Sequence, residues 1–292
     1  MIIDSHTHLF PRAAIADPGD FARSREEKFW GELMVPDSGR SLQGWVSPEE
    51  MLHSMDESGI ERTVLMGWYW EHASTCAEQN RWHAELIERE PGRWLAFASI
   101  QPLDRSSTMD ELRFAVDHGF KGIGEIHPAV QGFSLRDPAW LEVAEFASAN
   151  GLIINLHVTE PVGRPYKPKA ETEYEDIQWL VERFPDLRIV LAHWGGLVLF
   201  HELNPYVRKL FKNVYYDTAA SPLLYDPGVF NLAVEAVGAE KLLYGSDYPL
   251  MLYPRLEKTP GFVRFIDEIR EVVPDTRVLS LILGGNARRL FS

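Results

Sequence analysis

The chain of 292 residues has one cysteine, Cys76. No internal disulfide can form, and nothing argues for an oxidising compartment. No stretch approaches the roughly 18 to 20 apolar residues of a membrane span. The N-terminus, Met1-Ile2-Ile3-Asp4-Ser5-His6, has neither the basic region nor the apolar core of a secretory signal. Cations are scarce: 29 Lys+Arg against 43 Asp+Glu leave a formal net charge of −14. That excludes a general nucleic-acid binder, because phosphate affinity comes from Lys and Arg displacing counterions. Repeats and low-complexity tracts are absent. No Gly-rich phosphate fingerprint follows the first apolar run, which argues against the commonest doubly wound sheet. These absences predict a cytoplasmic protein acting on a small molecule, without nucleic acid or membrane as partner.

What the chain does have is a rhythm. Hydrophobic residues are 45% and charged residues 25%, an ordinary globular balance. Short apolar runs alternate with longer amphipathic stretches. The candidate strands are Met1 to His8, Arg62 to Gly67, Trp94 to Ile100, Phe120 to Ile126, Leu152 to His157, Arg188 to His193, Val214 to Asp217 and Lys241 to Gly245. Continuous apolar runs of that length suit parallel strands buried on both faces. Between them, Ser47-Pro48-Glu49-Glu50 reads as a helix start with a capping box. Ser107-Thr108-Met109-Asp110-Glu111 opens another helix, and Asn150-Gly151 closes one that begins near Pro138. Thr75 to Glu90, Tyr174 to Phe184, Val229 to Val237 and Phe262 to Val272 also have helical spacing. Eight strands alternating with helices predict an α/β fold, a (β/α)8 barrel in one domain over residues 1–292.

One segment breaks the rhythm. A long insertion at about 9–46 carries Pro11, Pro18, Gly19, Gly31, Pro36, Gly39 and Gly44. In a barrel it would lie over the mouth, as would Leu250 to Pro260 after the last strand.

Barrel active sites sit at the C-terminal ends of the strands. Strand one ends in Asp4-Ser5-His6-Thr7-His8, and the two histidines, two apart, point to one side. Strand four ends in Gly124-Glu125-Ile126-His127, strand five in Asn155-Leu156-His157, strand six in Ala192-His193-Trp194-Gly195-Gly196, and strand eight in Gly245-Ser246-Asp247-Tyr248-Pro249. Four imidazoles (His6, His8, His157, His193) and two carboxylates (Glu125, Asp247) at one rim suit a divalent metal, zinc foremost, with manganese, iron or cobalt as alternatives.

These stretches, with Leu191-Ala192-His193-Trp194-Gly195-Gly196 and Leu243-Tyr244-Gly245-Ser246-Asp247-Tyr248-Pro249, resemble the amidohydrolase superfamily. The resemblance is to its amidohydrolase-related branch, which includes aminocarboxymuconate-semialdehyde decarboxylase and its relatives. The tail Ile282 to Phe291 is similar to that family's closing helix. The resemblance implies His6, His8 and His157 as metal ligands. It implies Asp247 as the remaining ligand and proton acceptor, and His193 as a ligand to a second ion or an orienting residue. Where some branches bridge two metals with a carboxylated lysine, Gly124-Glu125 resembles the branches that use a glutamate. Lys121 lies too deep to take that role.

Hydrolysis of an amide, ester or lactone is the first expectation, with water activated by the metal and its proton taken by Asp247. Two ions with Glu125, Asp247 and a hydroxide leave a centre near +1, suited to an anionic substrate. The alternative is non-oxidative decarboxylation of an aromatic or enoic acid. A barrel that binds metal and ligand without catalysis is the third reading. Trp194, His127, Arg164, Lys167 and Arg255 are candidate substrate contacts, the cations because they could hold a carboxylate. The loop aromatics Phe21, Phe29, Trp30 and Trp45 could cap a substrate or make the contact of a homo-oligomer. His53, His72, His83, His118 and His201 read as surface or packing residues.

Overall fold

In the computed structural model, residues 1–37 and 41–292 are described, so Gly39 of the long insertion lies outside the described residues. All eight expected strands form: β1 (Ile2–Thr7), β2 (Ile60–Leu65), β3 (Trp94–Ala98), β4 (Gly122–Ile126), β5 (Ile153–Leu156), β6 (Ile189–Leu191), β7 (Val214–Asp217) and β8 (Leu242–Leu243). They pair in parallel in sequence order. The ring closes between β1 and the chain just after β8. Ser5 N donates to Tyr244 O at 2.8 Å, Asp247 N to His6 O at 2.9 Å and His8 N to Tyr248 O at 2.7 Å. The result is the expected (β/α)8 barrel, with helices in the connections.

Local chemistry places the helices. Ser47 caps Pro48–Ser58 with a reciprocal capping box to Glu50. Asp137 caps Pro138–Asn150, and Gly151 ends it at φ 66°. The third connection departs from expectation by one turn. Its helix spans Arg105–Asp117, and Asp104, not Ser107, is the N-cap. The Asp104 carboxylate accepts from Ser107 N at 3.2 Å, and a carboxylate at this position also answers the positive end of the helix.

The barrel interior is filled from below. Ile3, Val64, Phe97, Ile153, Val190 and Leu243 pack against Ala287, Leu290 and Phe291 of the C-terminal helix, with Tyr215 at their edge. A larger apolar layer lies between the strands and the outer helices. The other end of the barrel is left for polar groups. The insertion after β1 is not plain loop. It contains three short helices, Arg12–Ala16, Pro18–Arg25 and Lys28–Met34. Its later part pairs with the loop after β8, where Gly44 N donates to Pro249 O at 2.9 Å and Met251 N to Leu42 O at 2.7 Å.

The aromatics of the insertion turn inward. Phe21 and Trp30 are buried with Phe10, Trp68 and Trp70 in a satellite core, and Phe29 and Trp45 are partly buried against it. Phe21 and Trp30 therefore offer neither a substrate cap nor a subunit contact. Burying these rings is what lets a Pro- and Gly-rich segment hold one shape over the mouth. Among the described residues, no helix is long and apolar enough to cross a membrane.

Candidate metal centre

Six side chains expected at the rim meet at one point. His6 and His8 aim Nε2 at each other across 3.2 Å. Glu125 Oε2 lies 3.8 Å from both atoms. Asp247 Oδ1 is 3.3 Å from His8 Nε2 and 4.0 Å from His6 Nε2. The other Glu125 oxygen, Oε1, is 2.7 Å from His157 Nδ1 and 3.2 Å from His193 Nε2. Those two imidazole nitrogens are 3.2 Å apart. Glu125 therefore belongs to two triads, His6–His8–Glu125 and Glu125–His157–His193.

The hydrogen bonds behind these rings fix what the front atoms are. His6 Nδ1 donates to Asp217 Oδ2 at 2.9 Å. His193 Nδ1 donates to the Ala219 carbonyl at 3.1 Å. Each Nε2 then presents a lone pair. Glu125 and Asp247 also offer only acceptors when ionised. A buried point where acceptors converge without donors is satisfied by a cation. The carboxylates also draw positive charge to this point, as a proton on Nε2 or as a bound cation in its place. Burial works against charge on His6, yet Asp217, Glu125 and Asp247 outweigh it and raise its pKa to about 10. Burial likewise opposes charge on His193, but the Glu125 hydrogen bond lifts it to about 9. Against burial, His157 and His6 hold Glu125 well below the usual carboxylate range. Against burial, His8 and His6 lower Asp247. The donor set of imidazole and carboxylate fits one or two divalent ions.

Backbone irregularities aim several of these groups. The β1–β2 register shifts between Asp4 and Thr7, and the β4–β5 register between Ile123 and Ile126. Such breaks re-aim side chains beside active sites. Gly124 sits at φ 123°, and a Cβ there would lie 2.3 Å from the Asn155 carbonyl oxygen, so only glycine lets Glu125 reach the centre. After β6, His193, Trp194, Gly195, Gly196 and Leu197 are all left-handed, with φ between 56° and 72°. A left-handed turn of this kind is unfavourable for the residues that are not glycine, and here it swings His193 inward. Asp247 is also left-handed, at φ 66°.

Sequence reading missed Asp217, at the end of β7. It is fully buried and accepts from His6 Nδ1, from His193 N at 3.0 Å, from Ala219 N at 3.1 Å and from Asn155 Nδ2 at 3.3 Å. Including its charge brings the two-ion count with hydroxide to neutrality instead of +1. Trp68 and Tyr69, after β2, were also missed. They stack at 4.3 Å, Trp68 lies 5.2 Å from His8, and Tyr69 lies 5.3 Å from His157.

The remaining candidates divide. His127 is buried and stacks on His157 at 4.7 Å. Burial and the neighbouring His157 push its pKa down to about 2, so it is a neutral ring. Trp194 is a correction. It is fully buried, donates from Nε1 to Ser221 Oγ and packs on Phe230, so it offers the mouth no surface. The left-handed turn that brings His193 in turns Trp194 out. Arg164, Lys167 and Arg255 are exposed. Among the described residues, the only ion-pair partners of Glu125 and Asp247 are histidines, so no Lys or Arg joins the cluster. Lys121 likewise stands outside both triads.

The family model described as "Amidohydrolase" matches residues 3–292. A curated relative, the 2-amino-3-carboxymuconate-6-semialdehyde decarboxylase of Dictyostelium discoideum, is 24% identical over 349 residues, covering 98% of this chain and 90% of that protein. Among solved structures, 5-carboxyvanillate decarboxylase from Sphingomonas paucimobilis superposes with a TM-score of 0.75 at 18% identity, covering 99% of this chain and 98% of the other. A dihydroxybenzoic acid decarboxylase from Polaromonas, with bound manganese and the inhibitor 2-nitroresorcinol, gives 0.73 at 18% identity over 99% and 96%.

Proposed function

The chain belongs to the amidohydrolase family, and from that premise we propose that it is a metal-dependent, non-oxidative carboxy-lyase acting on a small planar acid, aromatic or enoic. The sequence put hydrolysis first and decarboxylation second. The names of the relatives reverse that order.

The observation that carries the reading is the shape of the cluster's exposure. His6, Glu125 and His8 have side chains 0%, 2% and 4% exposed, whereas His193, Asp247 and His157 have 10%, 14% and 15%. The centre is closed behind and open along one edge. The stacked Trp68–Tyr69 pair runs from His8 to His157 beside it. A flat conjugated acid fits the edge of an aromatic pair beside a metal centre.

Two reactions need different things here. A divalent ion, manganese or zinc, supplies Lewis-acid polarisation of substrate oxygens. With no Lys or Arg at the cluster, a substrate carboxylate depends on that centre for countercharge. Asp247, held anionic by its histidine neighbours, is the group placed to carry a proton at the open edge. In decarboxylation the carbon–carbon bond breaks and its electron pair stays on the substrate carbon; that carbon takes a proton that Asp247 has first accepted from solvent at the open edge, so that carbon dioxide leaves and Asp247 returns to its anionic form. One observation favours hydrolysis as the second reading: Glu125 is shared by two triads, the arrangement by which paired ions activate water.

The test is a panel on metal-replete protein, with aromatic and enoic carboxylates set against lactones, esters and amides. Carbon dioxide release supports the carboxy-lyase. Acid release without carbon dioxide overturns it in favour of hydrolysis. Asp247→Asn should lower turnover by at least about 10²-fold with metal content within twofold of wild type. Near-normal turnover in that variant rejects Asp247 as the proton carrier.

A further inference from the structure

The left-handed turn after β6 that aims His193 is unfavourable in itself and needs a hold. From inside the barrel Asp217 supplies part of it, accepting His193 N at 3.0 Å. The rest lies on the outer face of β7. Tyr216 is fully buried there, in the layer between strands and helices, with its side chain on the opposite face to Asp217. A Cβ on Gly195, which sits at φ 58°, would lie 3.1 Å from Cδ1 and Cε1 of the tyrosine ring. The backbone of the turn therefore rests against that ring. Tyr216 and Asp217, consecutive on one strand, grip the turn from its two sides.

The far end of the ring is pinned by a buried charge pair. Glu202 lies further along the segment that the turn opens, and it is fully buried. Its Oε1 accepts the Tyr216 hydroxyl at 2.7 Å, and its Oε2 accepts Lys241 Nζ at 2.6 Å. Lys241 Nζ also donates to the Phe211 carbonyl at 2.8 Å. One carboxylate thus ties the segment after β6 to β7 and to the entry of β8. Burial and the neighbouring Glu202 hold the phenol well above the ordinary tyrosine range, so it stays protonated and donates. A buried ion pair gains little stability over a well-packed apolar core, so what it contributes here is geometry.

We propose that Tyr216 is a positioning residue for His193. The Lys241–Glu202 pair fixes its hydroxyl, its ring bears on Gly195, and the turn so held keeps His193 Nε2 beside Glu125 and His157. A group on the outer face of the barrel wall thereby sets the affinity of the Glu125–His157–His193 triad for its ion. The proposal rests on the metal-dependent part of the functional reading and not on the choice between decarboxylation and hydrolysis.

Tyr216→Phe keeps the ring and deletes the bond to Glu202. Zinc and manganese affinities are measured by chelator competition in wild type, Tyr216→Phe, His193→Asn and the double variant; asparagine tolerates the left-handed backbone at position 193. Tyr216→Phe should bind metal about tenfold more weakly, the loss expected when the outer support of a ligand is removed. In the His193→Asn background the same substitution should change affinity less than twofold, because the residue it acts through is gone. A merely structural role would not distinguish the backgrounds. An equal loss in both therefore overturns the proposal, as does affinity within twofold of wild type in Tyr216→Phe alone. Amide hydrogen exchange of the metal-free protein gives the second readout. Exchange in Tyr216→Phe should quicken over residues 193–197 and not across the barrel, and exchange there matching wild type overturns the proposal. If that loosening appears while wild type takes up neither metal, the hold on the turn stands and the metal-dependent reading fails. If wild type binds metal and the turn does not loosen, Tyr216 is rejected and the metal-dependent reading remains.

Discussion

Asp217→Asn changes one atom and should disarm half of the centre. The carboxylate has two sides. Oδ1 accepts the backbone N–H of His193 and of Ala219, at 3.0 and 3.1 Å. Oδ2 accepts His6 Nδ1 at 2.9 Å and Asn155 Nδ2 at 3.3 Å. An asparagine carbonyl will keep the side that holds two backbone donors. Its NH₂ then faces His6 Nδ1, donor against donor. The relief is for His6 to move its proton to Nε2, where it points at the cation and blocks the lone pair. Loss of such an outer carboxylate costs a metal site about 10- to 100-fold in affinity, or about 1.4 to 2.7 kcal/mol. Chelator-competition titration with zinc or manganese measures this directly. The triad of His6, His8 and Glu125 should weaken most, since the His157 ligand atom does not depend on Asp217. Affinity within twofold of wild type would refute the tautomer argument, and with it the claim that the back of the site determines the front.

Three further outcomes follow from the same geometry. Glu125→Gln removes the one carboxylate common to both triads, so a wild type holding near two equivalents of metal should fall to one or fewer; metal analysis after dialysis without chelator decides, and an unchanged count refutes the shared role. Gly124→Ala forces a Cβ to 2.3 Å from the Asn155 carbonyl at φ 123°, so it should cost at least about 2 kcal/mol and lose metal with it; an unaltered melting temperature and metal content would refute this. His83 is fully buried, and desolvation pushes its pKa down to about 3. Below about pH 6.5 the unfolded chain then binds a proton that the folded chain refuses, and stability falls by about 1.4 kcal/mol per pH unit until the folded pKa is reached. Denaturant melts at pH 7 and pH 5 should therefore differ by about 2 kcal/mol less in His83→Gln than in wild type.

Which residues of the centre were readable from sequence, and which were not, follows from strand alternation. Ile153, Tyr215 and Leu243 face the barrel interior. Steps of two from them reach His157 and Asp217, so plain pleating delivers these two; the same count reaches Asp247, but its left-handed backbone sets its aim. Asp217 was as legible as the others and was passed over because its strand ends without a histidine. The rest defy alternation. Ile3 faces inward, yet so do His6 and His8, because the register slips between Asp4 and Thr7. Ile123 and Ile126 both face the outer layer, and the break between them admits Glu125. Val190 faces inward, which would send Trp194 in and His193 out; the left-handed turn reverses them. Motif order could locate these residues at the rim, but only the backbone breaks could aim them.

Those breaks are unfavourable in themselves. A bulge loses ladder pairing and a left-handed residue loses conformational energy. Regular alternation would have buried Ile, Gly and Trp at these positions at lower cost. That five of six ligand candidates depend on such irregularities, while the apolar floor of Ile3, Val64, Phe97 and Leu243 below them obeys the pleat, locates the division of labour in the barrel. Its lower half satisfies the hydrophobic effect. Its upper half sets that aside to bring acceptors together at one point, which is tolerable only when a cation joins them.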